Sequence, residues 1–304
     1  MLREKRSIAA VEGAGGNREV PPKGIRDRPG RGELSRKKGA RGGNMVSPTR
    51  RSARVSGRAG GGDGTLARAR GGCALRGREV EIEVVDSPEA AARRVAELLA
   101  DAVRAAQEIA LTGGSTPARA YELAAELEPD WSDAGVWWGD ERCVPPDDER
   151  SNFGLAKRTL LDNLESKPGR IHRIRGEDEP AAAAADYDRE LRGMTLDLVL
   201  LGLGPDGHVA SLFPDAPGLD ERERLVVSAE PTLEPYVERV TLTLHALRAA
   251  RRIVFLVAGA AKAEAVERAL AGPPEPAVPG SMVRSDAGET LAVLDRDAAS
   301  RLRD

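Results

Sequence analysis

The pattern of apolar and polar positions becomes regular at residue 80. Val80–Val85 alternates apolar residues with acids at period two, which predicts a strand at a sheet edge. Ser87-Pro88-Glu89 then supplies an N-cap, a proline at the first helical position and an early acid. Ala91, Val95, Leu98, Leu99, Ala102 and Val103 follow on one face, as an amphipathic helix requires. Ile109-Ala110-Leu111 is a short apolar run that stops at Thr112-Gly113-Gly114-Ser115-Thr116-Pro117, and a helix is predicted to start there, with Pro117 its first residue. Val136-Trp137-Trp138 predicts a strand ending in a Gly139-Asp140-Glu141-Arg142 loop, and residues 152–164 have helical spacing.

Residues 196–203 form an almost continuous apolar run, the signature of a central parallel strand covered on both faces. Strands are also predicted at 240–244, 253–257 and 291–294, with a helix over 261–271. The alternation predicts an α/β fold: a three-layer α/β/α arrangement around a mostly parallel, Rossmann-like open sheet. Ligands of such sheets bind beyond the carboxyl ends of the strands, where three loops here are rich in glycine and polar residues.

Composition separates two regions. Residues 1–78 hold 20 Lys and Arg against 6 Asp and Glu, a net charge of +14, with 17 of the 33 glycines; the remainder carries −17. Without apolar periodicity, and with runs such as Gly60-Gly61-Gly62, the first region is expected to be a disordered basic extension ahead of one globular domain over 79–304. Its acid-poor, arginine-rich character is shared by organelle transit peptides and nucleic-acid-binding arms. The favoured expectation is dispensable upstream sequence, with the true start at Met45 or a later codon. No apolar run reaches the roughly 18 residues of a membrane-spanning helix, and no secretory signal is expected. Only 3% of residues are aromatic, which argues against base stacking on nucleic acid by the acidic body. Two cysteines, Cys73 and Cys143, fit a reducing cytoplasm, and three histidines make a histidine-rich metal site improbable.

Gly113-Gly114-Ser115-Thr116 lies between a strand and a helix. Its glycines admit an anion, its hydroxyls donate, and the helix terminus adds free amides, so phosphate is the expected ligand; a tight turn capped by Thr116 is the plain alternative. Asp140-Glu141-Arg142 reads as a surface salt-bridge cluster or, at a strand end, as a site in which Arg142 clamps an anion and Asp140 orients a polar group. Gly202-Leu203-Gly204-Pro205-Asp206-Gly207-His208 is the most informative segment. His208 suits proton transfer near neutral pH, Asp206 can fix its tautomer, and the flanking glycines leave it facing a cavity. His172 and His245 are assigned surface or packing roles, and Arg239 and Lys262 are candidate anion contacts.

Three motifs together resemble the 6-phosphogluconolactonase family: Gly113-Gly114-Ser115-Thr116-Pro117; Trp138-Gly139-Asp140-Glu141-Arg142 with Ser151-Asn152; and the Gly202-to-His208 segment continuing as Val209-Ala210-Ser211-Leu212-Phe213-Pro214. The wider superfamily includes glucosamine-6-phosphate deaminases and sugar-phosphate-sensing regulators, which remain the alternatives. A deaminase is expected to carry glutamate five positions beyond the histidine and tyrosine third in the second loop; this chain has Phe213 and Arg142. A lesser departure is Gly280 in Pro279-Gly280-Ser281, where alanine is more usual, and little effect is expected. The resemblance implies hydrolysis of 6-phospho-D-glucono-1,5-lactone in the oxidative pentose phosphate pathway, without a metal or redox cofactor, by a cytoplasmic enzyme expected to be a monomer. His208 is then the general base and Asp206 its support, while Ser115, Thr116, Arg142 and Lys262 or Arg239 hold the phosphate. Because the body carries −17, those few cations must create a local positive site against the overall field.

Overall fold

The computed structural model describes residues 79–302 except 233, 235 and 287. The expectations for residues 1–78 lie outside the described residues. In chain order the elements are β1 (Val80–Val85), α1 (Pro88–Arg104), β2 (Glu108–Leu111), α2 (Ser115–Leu127), β3 (Gly135–Trp138), β4 (Asp140–Arg142), α3 (Asn152–Ala156), β5 (Arg170–Ile171), α4 (Pro180–Leu191), β6 (Leu198–Leu201), β7 (Val226–Ala229), β8 (Arg239–Leu242), α5 (Leu244–Ala249), β9 (Arg252–Val257), α6 (Ala263–Val266) and β10 (Glu289–Asp295).

Seven strands form a parallel sheet in the order β1-β10-β9-β6-β2-β3-β5, flanked by helices. β1 is an edge strand, as its alternation predicts, and β6 is central and buried along its whole length. Ser87 caps α1 by accepting from the Ala90 amide, and the six apolar positions read from the sequence are all buried. α1 packs on α2 and over β9 and β10.

Three predicted details are corrected. Asp140-Glu141-Arg142 is a strand rather than a loop: β4 pairs antiparallel with β8, and β8 with β7, in a separate three-stranded sheet. The strand predicted at 240–244 therefore belongs to this small sheet as Arg239–Leu242, and Leu244 already opens α5. α2 begins at Ser115, two residues before Pro117, and its N-cap is Gly114 at φ 112°, not Thr116. That left-handed cap position suits glycine. The helical readings at 152–164 and 261–271 hold in broken form, with α3 and α6 each continuing into a π turn, Lys157–Leu161 and Glu267–Ala271.

The sheet opens where β2 and β6 part. They pair only at Ile109↔Leu198 and Ala110↔Val199, whereas β6 stays with β9 as far as Leu201↔Phe255. The carboxyl ends of β2 and β6 thus diverge into a crevice. Two tyrosines finish the strand ends beside it. The Tyr121 hydroxyl accepts from the Thr112 amide at 2.9 Å and donates to the Thr112 carbonyl at 2.6 Å. The Tyr187 hydroxyl does the same for Trp138, at 2.8 and 3.2 Å. Both phenols are buried, which pushes their pKa values up and keeps them neutral. Among the described residues no helix is long and apolar enough to cross a membrane.

Candidate active site

The crevice is a cavity of about 260 Å³ at the carboxyl ends of β2, β6 and β9. Of the ten candidate residues, nine line it: Gly113, Gly114, Ser115 and Thr116 from the β2–α2 turn, Asp140 and Arg142 from β4, His208, Arg239 and Lys262. Asp206 stands behind His208.

The β2–α2 turn is shaped by its neighbours. A Cβ on Gly113 would lie 1.9 Å from Asn152 Oδ1, so only glycine lets the Asn152 side chain pass. Ala118 makes the first bond of the helix, to the Gly114 carbonyl, which leaves the Ser115 and Thr116 amides at the free, positive end of α2 beside the cavity. Three cations surround this terminus. Lys262, half-buried in a turn after β9, donates to the Leu203 carbonyl at 2.8 Å. Burial lowers its pKa, partly offset by the nearby Asp206 charge. Arg239 is buried with its guanidinium 5.4 Å from the Phe213 ring centroid; burial lowers its pKa too, against the charge of Asp140. Arg142 gives one terminal nitrogen to the Arg150 carbonyl at 2.6 Å, while its buried Nε makes no hydrogen bond.

His208 Nδ1 lies 2.6 Å from Asp206 Oδ1, and the His208 amide donates to the same oxygen at 3.2 Å. A proton on Nδ1 shared with the carboxylate leaves Nε2 as the acceptor. The loop is drawn tight by bonds from the Gly204 amide to the His208 carbonyl and from the Gly280 amide to the Gly207 carbonyl. Gly207 has φ 90°, and the His208 ring packs 5.0 Å from that of Phe213. Gly280 proves to be closely placed: an alanine Cβ would meet Leu203 Cδ1 at 2.7 Å. Against the cradle of cations and amides, this pair supplies a base within one cavity: the arrangement can hold an anionic group at one end and move a proton at the other.

The acidic pair in β4 divides its work. Glu141 is buried and faces away from the cavity, accepting from the amides of Arg142, Asn152 and Phe153 and from the Ser151 hydroxyl, so it anchors the start of α3. Burial raises its pKa despite those donors. Asp140 accepts from Ser211 Oγ and Asn152 Nδ2, at 2.6 and 3.0 Å. Asn152, Thr112, Pro205 and Ala210 also line the cavity without being predicted as site residues. His172 stacks on Trp137 and bonds Glu190, and His245 is exposed on α5, both away from the cavity. No cluster of three or more potential metal ligands exists among the described residues.

Residues 85–292 match the family described as glucosamine-6-phosphate isomerases/6-phosphogluconolactonase. The chain is 40% identical over 233 residues to a 6-phosphogluconolactonase of Streptomyces coelicolor, covering 70% of this chain and 89% of that one. It is 38% identical over 223 residues to a human 6-phosphogluconolactonase, covering 69% and 86%. The solved 6-phosphogluconolactonase of Trypanosoma cruzi superposes with a TM-score of 0.65 at 27% identity, over 74% of this chain and 98% of that one. With its match spanning β2, β6 and the loops that close the cavity, this chain belongs to the glucosamine-6-phosphate isomerase/6-phosphogluconolactonase family.

Proposed function

We propose that this protein is a cytoplasmic 6-phosphogluconolactonase, a carboxylic ester hydrolase that opens 6-phospho-D-glucono-1,5-lactone to 6-phosphogluconate in the oxidative pentose phosphate pathway. One observation carries the reading: a histidine held through Nδ1 by an aspartate shares a cavity with a helix terminus and three cations. The phosphate rests on the Ser115 and Thr116 amides and hydroxyls between Arg142, Lys262 and Arg239. That remote anchor positions the lactone carbonyl and uses binding energy far from the reacting carbon. His208 Nε2 takes a proton from water as the water oxygen attacks the carbonyl carbon, and Asp206 steadies the imidazolium that forms. The tetrahedral oxyanion collapses, the ring C–O bond breaks, and the proton passes from His208 to the departing ring oxygen.

Phe213 favours this chemistry over deamination, because an apolar ring packs against His208 where a deaminase is expected to place a carboxylate. The test is turnover by the full-length chain of freshly generated lactone, corrected for spontaneous hydrolysis, with ammonia release from glucosamine 6-phosphate as a parallel assay. The expected result is lactone hydrolysis without ammonia, and a loss of about 10²- to 10⁴-fold in kcat for His208→Ala. Near-wild-type kcat in that variant would remove His208 from the role of base.

A further inference from the structure

The loop that carries His208 contains a residue in an unfavourable backbone conformation, with a polar anchor directly after it. Ala210 lines the cavity at φ 48°, in the left-handed region that a residue with a Cβ rarely adopts. Ser211, the next residue, is buried and both of its donors are engaged outside the loop. Its amide donates to Thr241 Oγ1 on β8 at 3.1 Å, and its hydroxyl donates to Asp140 Oδ2 on β4 at 2.6 Å. Asp140 is itself fixed, since Asn152 Nδ2 donates to Oδ1 at 3.0 Å and to the Asp140 carbonyl at 2.9 Å. Upstream, the loop is closed by the bond from the Gly204 amide to the His208 carbonyl. The strained residue stands at the first corner of a turn closed by the Leu212 amide on the Val209 carbonyl at 2.9 Å, and the Gly280 amide holds the Gly207 carbonyl on the other side of the base; the two bonds from Ser211 join this turn to the small sheet. Without the Ser211 hydroxyl the turn would be tied to the small sheet by the Ser211 amide alone, and the strain at Ala210 would be opposed only by that bond and the one from the Leu212 amide, so that relaxation toward a negative φ would turn the peptides that connect it to His208.

We propose that Ser211 is a positioning residue of the hydrolysis: through Asp140 it holds Ala210 in its left-handed conformation and so fixes where His208 stands over the bound lactone. The inference rests on the lactonase reading above and gives Asp140 a task in the reaction without contact to the reacting atoms. Ser211 acts on the base and not on the phosphate cradle, so its loss separates turnover from binding.

The experiment compares full-length wild type, Ser211→Ala, and Ser211→Ala combined with Ala210→Gly, measuring kcat with the lactone and the affinity for 6-phosphogluconate by calorimetry. Loss of a buried hydrogen bond to a carboxylate is expected to lower kcat about tenfold in Ser211→Ala, with affinity changed by less than about threefold. Glycine takes a positive φ without strain, so adding Ala210→Gly is expected to recover at least about threefold of that loss. Where Ser211→Ala does not fold, Ser211→Cys, similar in size and a weak donor, takes its place with the same expected fall. Unchanged kcat in the single variant overturns the proposal, and so does a parallel fall of kcat and affinity that the glycine leaves uncorrected. Absence of turnover in the wild type overturns the lactonase reading; wild-type turnover with an indifferent Ser211 variant overturns this inference alone.

Discussion

Gly204 lies so close to the His208–Asp206 pair that one added methyl group tests the proposed mechanism. A Cβ at this position would be 2.0 Å from His208 Nδ1, 2.3 Å from its Cε1 and 2.5 Å from Asp206 Oδ1. Ordinary contact begins at 3.4 Å, so the imidazole must retreat by about 1.4 Å or part from its carboxylate. Gly204 is not among the glycines at positive φ, so its backbone accepts alanine and the collision falls on side chains that can move. Overpacking of this kind costs about 1–3 kcal/mol, which a well-packed domain of this size tolerates. Turnover is far more sensitive, because a displacement of about 1 Å at a catalytic group can cost about 10²-fold. Gly204→Ala is therefore expected to fold and to lower kcat by about 100-fold. Its affinity for 6-phosphogluconate should change by less than about threefold, since the phosphate cradle is built from other segments. Proton release from freshly generated lactone gives kcat, calorimetry gives the product affinity, and urea unfolding gives the stability. A variant of ordinary stability whose kcat lies within threefold of wild type would refute the reasoning, because the ring could not then have needed its present place.

Other outcomes follow from the same geometry. Tyr121→Phe leaves the Thr112 N–H and C=O without their shared partner, and urea unfolding should show a loss of about 2 kcal/mol; a change below about 0.5 kcal/mol would mean that water replaces the phenol. Burial lowers the Lys262 pKa, so its charge, and with it part of the phosphate affinity, is lost as pH rises, at values below the ordinary lysine range. Calorimetric titration with 6-phosphogluconate from neutral pH upward should show that decline, and Lys262→Arg should hold affinity level to higher pH; superimposable profiles would take Lys262 out of the phosphate site.

Much of the parallel sheet was legible because its strands and helices are marked locally. The 196–203 run, the alternation at Val80–Val85 and the Ser87-Pro88-Glu89 start each need only a few neighbouring residues to be read. The β4 strand was not legible: Asp140-Glu141-Arg142 has no apolar alternation and is a strand only because β8, about a hundred residues later, pairs with it. α4 escaped as well, since Asp186 and Asp188 interrupt its alanine-rich face, although Asp188 is buried and accepts from the Leu225 and Val226 amides. At the site, chemistry written into one segment was visible, as in Asp206 and His208, and so was the glycine-rich turn. The parts that depend on distant segments were not. Asn152 reaches the cavity because Gly113 lacks a side chain, and Ser211 meets Asp140 across 71 positions of sequence. No local pattern marks either contact.

Tyr121 and Tyr187 bear on how firmly the strand ends at the crevice are held. Each phenol occupies the N–H and the C=O of one residue, groups that would otherwise be left open to water where a sheet ends. Sheet ends ordinarily fray, and fraying is what lets amide protons exchange quickly with solvent. Here the Thr112 and Trp138 amides should exchange as slowly as those in the sheet interior, with or without ligand. Phenols borne on helices thus let the sheet part for a ligand while its strand ends remain as rigid as paired ones.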